Sequence, residues 1–169
     1  AQVSQACNLS VSDIEDVYPC TPTQEALMAA TVRQPGAYID HSMFSVPSST
    51  DLHKLRASWD IVHQSNPIFR TRICSAVMGN RVQMVQVVTR CPSEWIDSDI
   101  EASEMGLGTS LMRYRIRPSE QGFIFEFWRH HSIFDGFSSA ALWQDLEHAF
   151  ALSAPPKARP CNMRRMIRI

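Results

Sequence analysis

The sequence predicts an α+β domain in which helices pack on a mixed or antiparallel sheet. Two pairs of β-rich segments are each joined by a short turn, and several segments between and around them have the apolar spacing of helices. The chain has 169 residues, which suits one domain or a large half of a bigger one, and its 44% hydrophobic content is enough for a core.

The first part of the chain predicts a linker, a helix and a strand. Residues 1–12 are small and polar and are interpreted as the linker. A helix is predicted from Pro22 to Val32, because proline suits a first helical position and Thr21 or Thr23 can cap it. Imperfect alternation over residues 37–46 predicts a strand.

The clearest helix begins after Thr50, its predicted cap, and ends at Asn66 and Pro67. Residues 68–77 and 81–88 follow, and the Met-Gly-Asn turn between them predicts a hairpin. Apolar residues recur three or four positions apart on one face of the helix: Leu52, Leu55, Trp59 and Val62.

The rest of the chain predicts a second hairpin and a last helix. Residues 91–110 have no sustained period and are interpreted as a surface crossing with one short strand at most. Residues 111–118 and 122–130 then predict the hairpin, and residues 135–150 the helix. The apolar face expected for this helix is Ala140, Leu142, Trp143, Leu146 and Phe150.

Charge and composition exclude several classes of function. Sixteen Lys and Arg balance 17 Asp and Glu, so no basic footprint for nucleic acid is present. No apolar run has the length of a membrane span, and the N-terminal residues lack the charged and apolar regions of a signal peptide, so we expect no membrane partner and a cytoplasmic location. Five scattered cysteines without a C-x-x-C pair are expected to be reduced thiols, in neither a disulfide nor a zinc site.

An unusual group of polar residues lies between the last strand and the last helix. His130 and His131 end the strand, and Asp135 and Gly136 begin the helix. Asp135 can cap that helix or hold an arginine, and Gly136 leaves room for a substrate. Adjacent strand residues point to opposite faces, so the two histidines cannot easily bind one metal ion, and only one can face an active site. A neutral imidazole there can take a proton from an attacking amine, thiol or hydroxyl.

With this corner, the chain resembles the condensation domains of nonribosomal peptide synthetases, particularly fungal ones. HHSIFDGFS is similar to the family's HHxxxDG motif, DIEDVYPCTPTQEALM resembles the opening of such domains, and NPIFRTRI resembles the second motif. The resemblance implies a fold of two chloramphenicol-acetyltransferase-like lobes. Residues 13–151 would be the N-terminal lobe, and residues 152–169 a connector and the start of a helix leading to a C-terminal lobe that is absent from this chain.

The resemblance also implies a reaction, in which a donor acyl or peptidyl thioester and an acceptor aminoacyl thioester, both on carrier proteins, form an amide bond. His131 matches the catalytic histidine, as base or orienting group, and His130 matches its structural neighbour. Asp135 matches the aspartate that keeps the motif folded, commonly by pairing with an arginine, for which Arg70 is the candidate. Gly136 matches the glycine beside the acceptor channel. No cofactor or metal is expected to bind directly, since phosphopantetheine arms of the carrier proteins deliver the substrates.

Other functions stay open at this point. A CoA-dependent acyltransferase of the chloramphenicol-acetyltransferase type also carries HHxxxDG, and an epimerisation domain shares the motif. A lobe kept only to dock a carrier protein would need no chemistry at all. Because an active cleft would need both lobes, the isolated lobe is expected to be inactive. The amino acids that would be joined, and the product, do not follow from the sequence.

Overall fold

The computed structural model of the chain describes residues 2–98 and 104–157, and within them it contains four α-helices and six strands. The helices are α1 (Gln2–Ala6), α2 (Pro22–Arg33), α3 (Leu52–Ser65) and α4 (Gly136–Leu152). The strands are β1 (Ile14–Pro19), β2 (Ile39–Pro47), β3 (Thr71–Met78), β4 (Arg81–Thr89), β5 (Met112–Ser119) and β6 (Gly122–His130).

The strands form two three-stranded antiparallel sheets, with the orders β1-β4-β3 and β2-β6-β5. This confirms the predicted α+β class and both hairpins, although two separate sheets replace the single sheet that was expected. Gly122 suits the turn of the second hairpin with its φ of 139°. It also lets β2 approach closely, because a Cβ there would lie 2.5 Å from the carbonyl oxygen of Val46. The central strands β4 and β6 are each paired on both sides.

The main core lies where α3 and α4 cover one face of the second sheet. Trp59 of α3 is fully buried, with its ring centroid 4.7 Å from that of Phe125 and 5.6 Å from that of Phe127, both on β6. Trp143 of α4 closes the group, 6.0 Å from Trp59. The predicted apolar face of α3 is therefore confirmed at its centre, and this aromatic layer supports the strand that ends at His130.

Two boundaries near α3 differ from the prediction. The cap is Asp51 rather than Thr50, since the Asp51 side chain accepts from the backbone N–H of Lys54 at 3.0 Å. Residues Pro67–Arg70 form a 3-10 turn, so β3 begins three residues later than expected. The turn brings the apolar ring of Phe69 into the core, where it is only 5% exposed.

The segment 1–12, predicted to be a linker, is partly structured. It contains α1, and Cys7 at its end is 1% exposed in a small cluster against β3 and β4. Arg72 of β3 donates from Nη1 to the Cys7 carbonyl oxygen at 2.8 Å. The sequence of residues 1–12 does not predict this contact, because small residues have no strong preference for burial. Their burial here depends on strands that lie far away in the chain.

Two further predictions are corrected. Strand β1 was missed because a bulge between Ile14 and Asp16 interrupts the alternation on which strand prediction depends. In α4, Leu142 and Leu146 are buried as predicted, but Ala140 is exposed and Ala149 is buried in its place.

Some predictions fall on residues outside the described part of the chain. The structure describes the start of the connector 152–160 only to residue 157, and the helix expected over 161–169 lies outside the described ranges. In the surface crossing, the described residues contain one isolated bridge, between Trp95 and Tyr114.

The buried indole of Trp59 gives a prediction about stability. Trp59→Ala should lower the free energy of unfolding by about 3–5 kcal/mol, because it empties the centre of the aromatic layer. Trp59→Phe should cost clearly less, because Nε1 of Trp59 is buried with no hydrogen-bond partner among the described residues, and its removal relieves a desolvation penalty. Urea unfolding measures both values. Val82→Ala is the control, since Val82 is 73% exposed. An equal loss for the two Trp59 variants would contradict this account.

Candidate functional site

The end of β6 separates the two adjacent histidines. His130 is the last residue of the strand and is fully buried, whereas His131 lies in the following turn and is exposed. The backbone N–H of His131 donates to the carbonyl oxygen of Tyr38 at 2.9 Å, just before β2. An accessible imidazole thus sits on backbone that a neighbouring segment holds in place.

The buried imidazole of His130 is hydrogen-bonded at both nitrogens. Its Nδ1 accepts from the backbone N–H of Ser132 at 3.0 Å, so the ring proton is on Nε2, which lies 2.7 Å from Oγ1 of Thr31. Thr31 in turn lies 2.9 Å from the carbonyl oxygen of Ala37, to which its hydroxyl donates. Burial, with a smaller contribution from the charge of His131, lowers the pKa of His130 to about 4. His130 is therefore neutral at pH 7.

Asp135 and Gly136 begin α4 as the sequence predicts. Oδ1 of Asp135 accepts from the backbone N–H of Ser138 at 2.8 Å and from its hydroxyl at 2.7 Å, so the predicted cap is confirmed. Gly136 is the first helical residue, and a Cβ added there would meet no atom of the described part of the chain within 4 Å, its two chain neighbours aside. The space beside Gly136 is open on the exposed side of the turn.

The structure pairs Arg70 with Glu15 rather than with Asp135. Nη1 of Arg70 lies 2.7 Å from Oε2 of Glu15 on β1 and also donates to the carbonyl oxygen of Thr89 on β4. The Arg70 side chain is 8% exposed and that of Glu15 is 38% exposed, so the contact is buried on the arginine side only. The site residue predicted from the second motif therefore joins β1 to β4 instead of holding the motif aspartate.

The variable positions of the HHxxxDG motif hold apolar anchors that the sequence analysis did not single out. Ile133 and Phe134 are 5% and 4% exposed, and both belong to the main core. The Phe134 ring lies 6.2 Å from that of Phe69, so the second motif packs against the HHxxxDG motif. The sequence signal for their burial was the pair of consecutive apolar residues between the polar residues Ser132 and Asp135.

The loop before β2 contributes two carbonyl groups to the site. Tyr38 has a φ of 63°, a left-handed conformation that costs a non-glycine residue about 1–2 kcal/mol. In this conformation its carbonyl oxygen accepts from His131, while that of Ala37 accepts from Thr31. No sequence signal marks Tyr38, because bulky residues rarely adopt this conformation.

Over residues 2–98 and 104–157, no group of three metal-ligating side chains converges on a possible ion site. Within the same ranges, no helix combines the length and the apolar character needed to cross a bilayer.

No protein-family model matches the chain, but full sequences do. The chain is 35% identical over 170 residues to nonribosomal peptide synthetase 7 of Gibberella zeae, a match that covers 95% of this chain and 4% of that protein. It is 38% identical over 172 residues to nonribosomal peptide synthetase ecdA of Aspergillus rugulosus, covering 94% and 2%. The chain therefore spans a small fraction of the length of these relatives.

The fold is similar to that of a solved condensation domain. A variant of the starter condensation domain of rhizomide synthetase RzmA superimposes with a TM-score of 0.70 at 11% identity, over 90% of this chain and 42% of that one. At this identity the likeness concerns the fold alone. It confirms the predicted chloramphenicol-acetyltransferase-like architecture.

The buried histidines predict that the chain loses stability in mild acid. Burial is the main cause that lowers the pKa of both His63 and His130 to about 4, whereas an unfolded histidine titrates near 6.5. Between these values the unfolded chain binds protons that the folded chain does not. The free energy of unfolding should therefore fall as the pH drops from about 6.5 to 4, and remain at its full value above this range.

Urea unfolding at pH 7, 6 and 5 measures this loss. His63→Gln should show a smaller loss over the same range, because one of the two groups no longer titrates. Gln64→Ala, at an exposed position next to it, adds no titratable group and should retain the full loss. If the free energy of unfolding falls equally with pH in His63→Gln and in the unchanged chain, His63 does not contribute to the loss of stability in acid.

Proposed function

We propose that this chain, which is homologous to fungal nonribosomal peptide synthetases and has the fold of their condensation domains, provides the first lobe of such a domain in a larger synthetase. Residues 13–151 form the lobe and residues 152–169 lead to the C-terminal lobe. The observation that carries the proposal is the different placement of the two histidines. One is buried and neutral, and the other is exposed on a hydrogen-bonded turn.

The proposed reaction is the transfer of an acyl or peptidyl group from a thioester to an amine. The amine nitrogen of the acceptor attacks the thioester carbonyl carbon, a C–N bond forms and the C–S bond breaks. The amine loses a proton, and the departing thiolate gains one. His131 takes the proton from the amine or orients the amine for attack, as an accessible imidazole can. His130 cannot fill this role, because both of its nitrogens are occupied inside the protein.

In this proposal carrier proteins supply the substrates, and the C-terminal lobe supplies the opposite wall of the cleft. Carrier protein domains would present both thioesters on phosphopantetheine arms, and the C-terminal lobe would enclose them together with His131. The space beside Gly136 suits the acceptor arm, because a Cβ at this position would meet no atom of the described residues within 4 Å, its chain neighbours aside. The rate of amide formation depends on orienting the two reactants and on excluding water from them. One lobe alone does not provide either condition. The synthetase relatives favour this function over a CoA-dependent acyltransferase.

The first test replaces His131 with alanine in the full-length synthetase. Amide formation between loaded carrier proteins should fall by about 10²–10⁴-fold, because a positioned acid–base group is lost. The free energy of unfolding should stay within about 0.5 kcal/mol, since the side chain is exposed. Mass spectrometry of the carrier-bound product measures the rate. Unchanged turnover together with unchanged carrier affinity would favour a lobe that only docks.

The second test uses the 169-residue chain alone. Mixed with loaded donor and acceptor carrier proteins, it should form no amide above the uncatalysed rate, while the two-lobe domain at equal concentration does. Amide formation by this chain would overturn the requirement for the second lobe. A stable trimer that acetylates a small alcohol from acetyl-CoA would support the acyltransferase alternative instead.

A further inference from the structure

Two buried glutamines connect the first sheet to the turn that carries His131. Gln86 lies on β4 and is 1% exposed, and Gln24 lies in the first turn of α2 and is 8% exposed. Nε2 of Gln24 donates to Oε1 of Gln86 at 2.9 Å and to the carbonyl oxygen of Ser132 at 3.1 Å. Ser132 is the residue directly after His131.

Backbone groups fix the orientation of both side-chain amides. The backbone N–H of Thr21 donates to Oε1 of Gln24 at 2.9 Å, so Nε2 of Gln24 must point to Gln86 and Ser132. Nε2 of Gln86 donates to the carbonyl oxygen of Pro19 at 3.1 Å, which leaves Oε1 of Gln86 as the acceptor. Each amide group therefore has complementary partners, as a buried polar contact requires.

The chain around His131 is thus held at three consecutive residues. The ring of His130 binds Thr31 and the backbone N–H of Ser132. The N–H of His131 itself binds Tyr38, and the carbonyl group of Ser132 binds Gln24. These contacts fix the backbone from which the exposed imidazole projects, while the imidazole itself stays accessible.

The position of Gln86 gives this contact its rigidity. In the central strand of the first sheet, Gln86 lies opposite Tyr18 on β1 and Ile73 on β3. His130 ends β6, the central strand of the second sheet. The glutamine pair therefore links the central strand of the first sheet, through the first turn of α2, to the turn that follows His130 at the end of the other central strand.

Stability alone does not require polar groups here. Apolar side chains of similar volume would fill the same space without the cost of desolvating two amides, and replacing both partners of a buried hydrogen bond is often nearly neutral. What an apolar pair cannot supply is a hydrogen bond to the Ser132 carbonyl group.

We infer that Gln24 is a positioning residue for His131, and that Gln86 supports it. The inference rests on the proposed function, since it concerns the efficiency of the same amide-forming step. Gln24 does not contact substrate. It acts through Ser132, by fixing the direction in which the imidazole of His131 meets the acceptor amine.

The test measures kcat and KM for amide formation by the full-length synthetase with Gln24→Leu. We expect kcat to fall about 10- to 100-fold, because small displacements of a catalytic group have effects of this size, while KM for the carrier proteins changes little. Gln86→Leu leaves the bond from Gln24 to Ser132 intact and should cause a smaller fall. The matched control is Tyr114→Phe, which removes a buried hydrogen bond of 3.0 Å to His63 that involves no residue of the His131 turn. It should lower stability without changing kcat.

The decisive comparison places Gln24→Leu in the His131→Ala background. If Gln24 acts through His131, the double variant should turn over at the rate of His131→Ala alone. A kcat for Gln24→Leu within twofold of the unchanged synthetase, or an equal further loss in the His131→Ala background, would overturn the inference.

Two controls keep the outcomes distinct. Gln24→Glu still accepts from Thr21, but a carboxylate has no hydrogen to donate, so the bonds to Ser132 and to Gln86 are both lost. It replaces Gln24→Leu if that variant fails to fold, and the same fall in kcat is expected. Should His131→Ala itself leave amide formation unchanged, the proposed function fails. Should only the Gln24 variants leave it unchanged, the inference alone fails.

Discussion

The His130 imidazole is excluded from water and hydrogen-bonded at both nitrogens, to Ser132 on one side and Thr31 on the other. These bonds join the end of β6, helix α2 and the loop before β2. A protonated ring could not accept from the backbone of Ser132, so the arrangement holds only while His130 is neutral. Burial ensures that neutrality, because it lowers the pKa of His130 to about 4. The geometry of the whole corner therefore depends on one uncharged side chain.

The aromatic core explains why β6 can end so abruptly in an ordered site. Phe125 and Phe127 pack against Trp59 on the inner face of the strand, and Phe134 continues the packing past the turn. Arg129 lies over the Phe127 and Phe134 rings, at 4.3 Å and 4.8 Å from their centroids. The strand before the histidines and the apolar residues after them are thus anchored in the same layer, and His131 reaches solvent between them.

Sequence patterns located most elements but few of the contacts at the site. Periodicity and turn residues were sufficient for the two hairpins, for α3 and for α4, because these features depend on neighbours in the chain. Strand β1 was missed because its bulge conceals the alternation. The contacts of Arg70 with Glu15, and of Gln86 with Gln24, join residues 55 and 62 positions apart. A glutamine in a valine-rich strand gives no sign of whether it faces solvent or another amide.

Gln24 has a second role as the third residue of α2, where its side chain accepts from the backbone N–H of Thr21 and completes a capping box. One side chain thus closes a helix terminus with its oxygen and holds the His131 turn with its nitrogen. Glutamate can provide only the first function, and asparagine is one methylene shorter. For engineering by segment exchange, residues 19–38 and β4 therefore form one unit with the HHxxxDG turn. A chimera whose junctions divide this unit between two parents would keep the motif and lose the amide contacts that orient it.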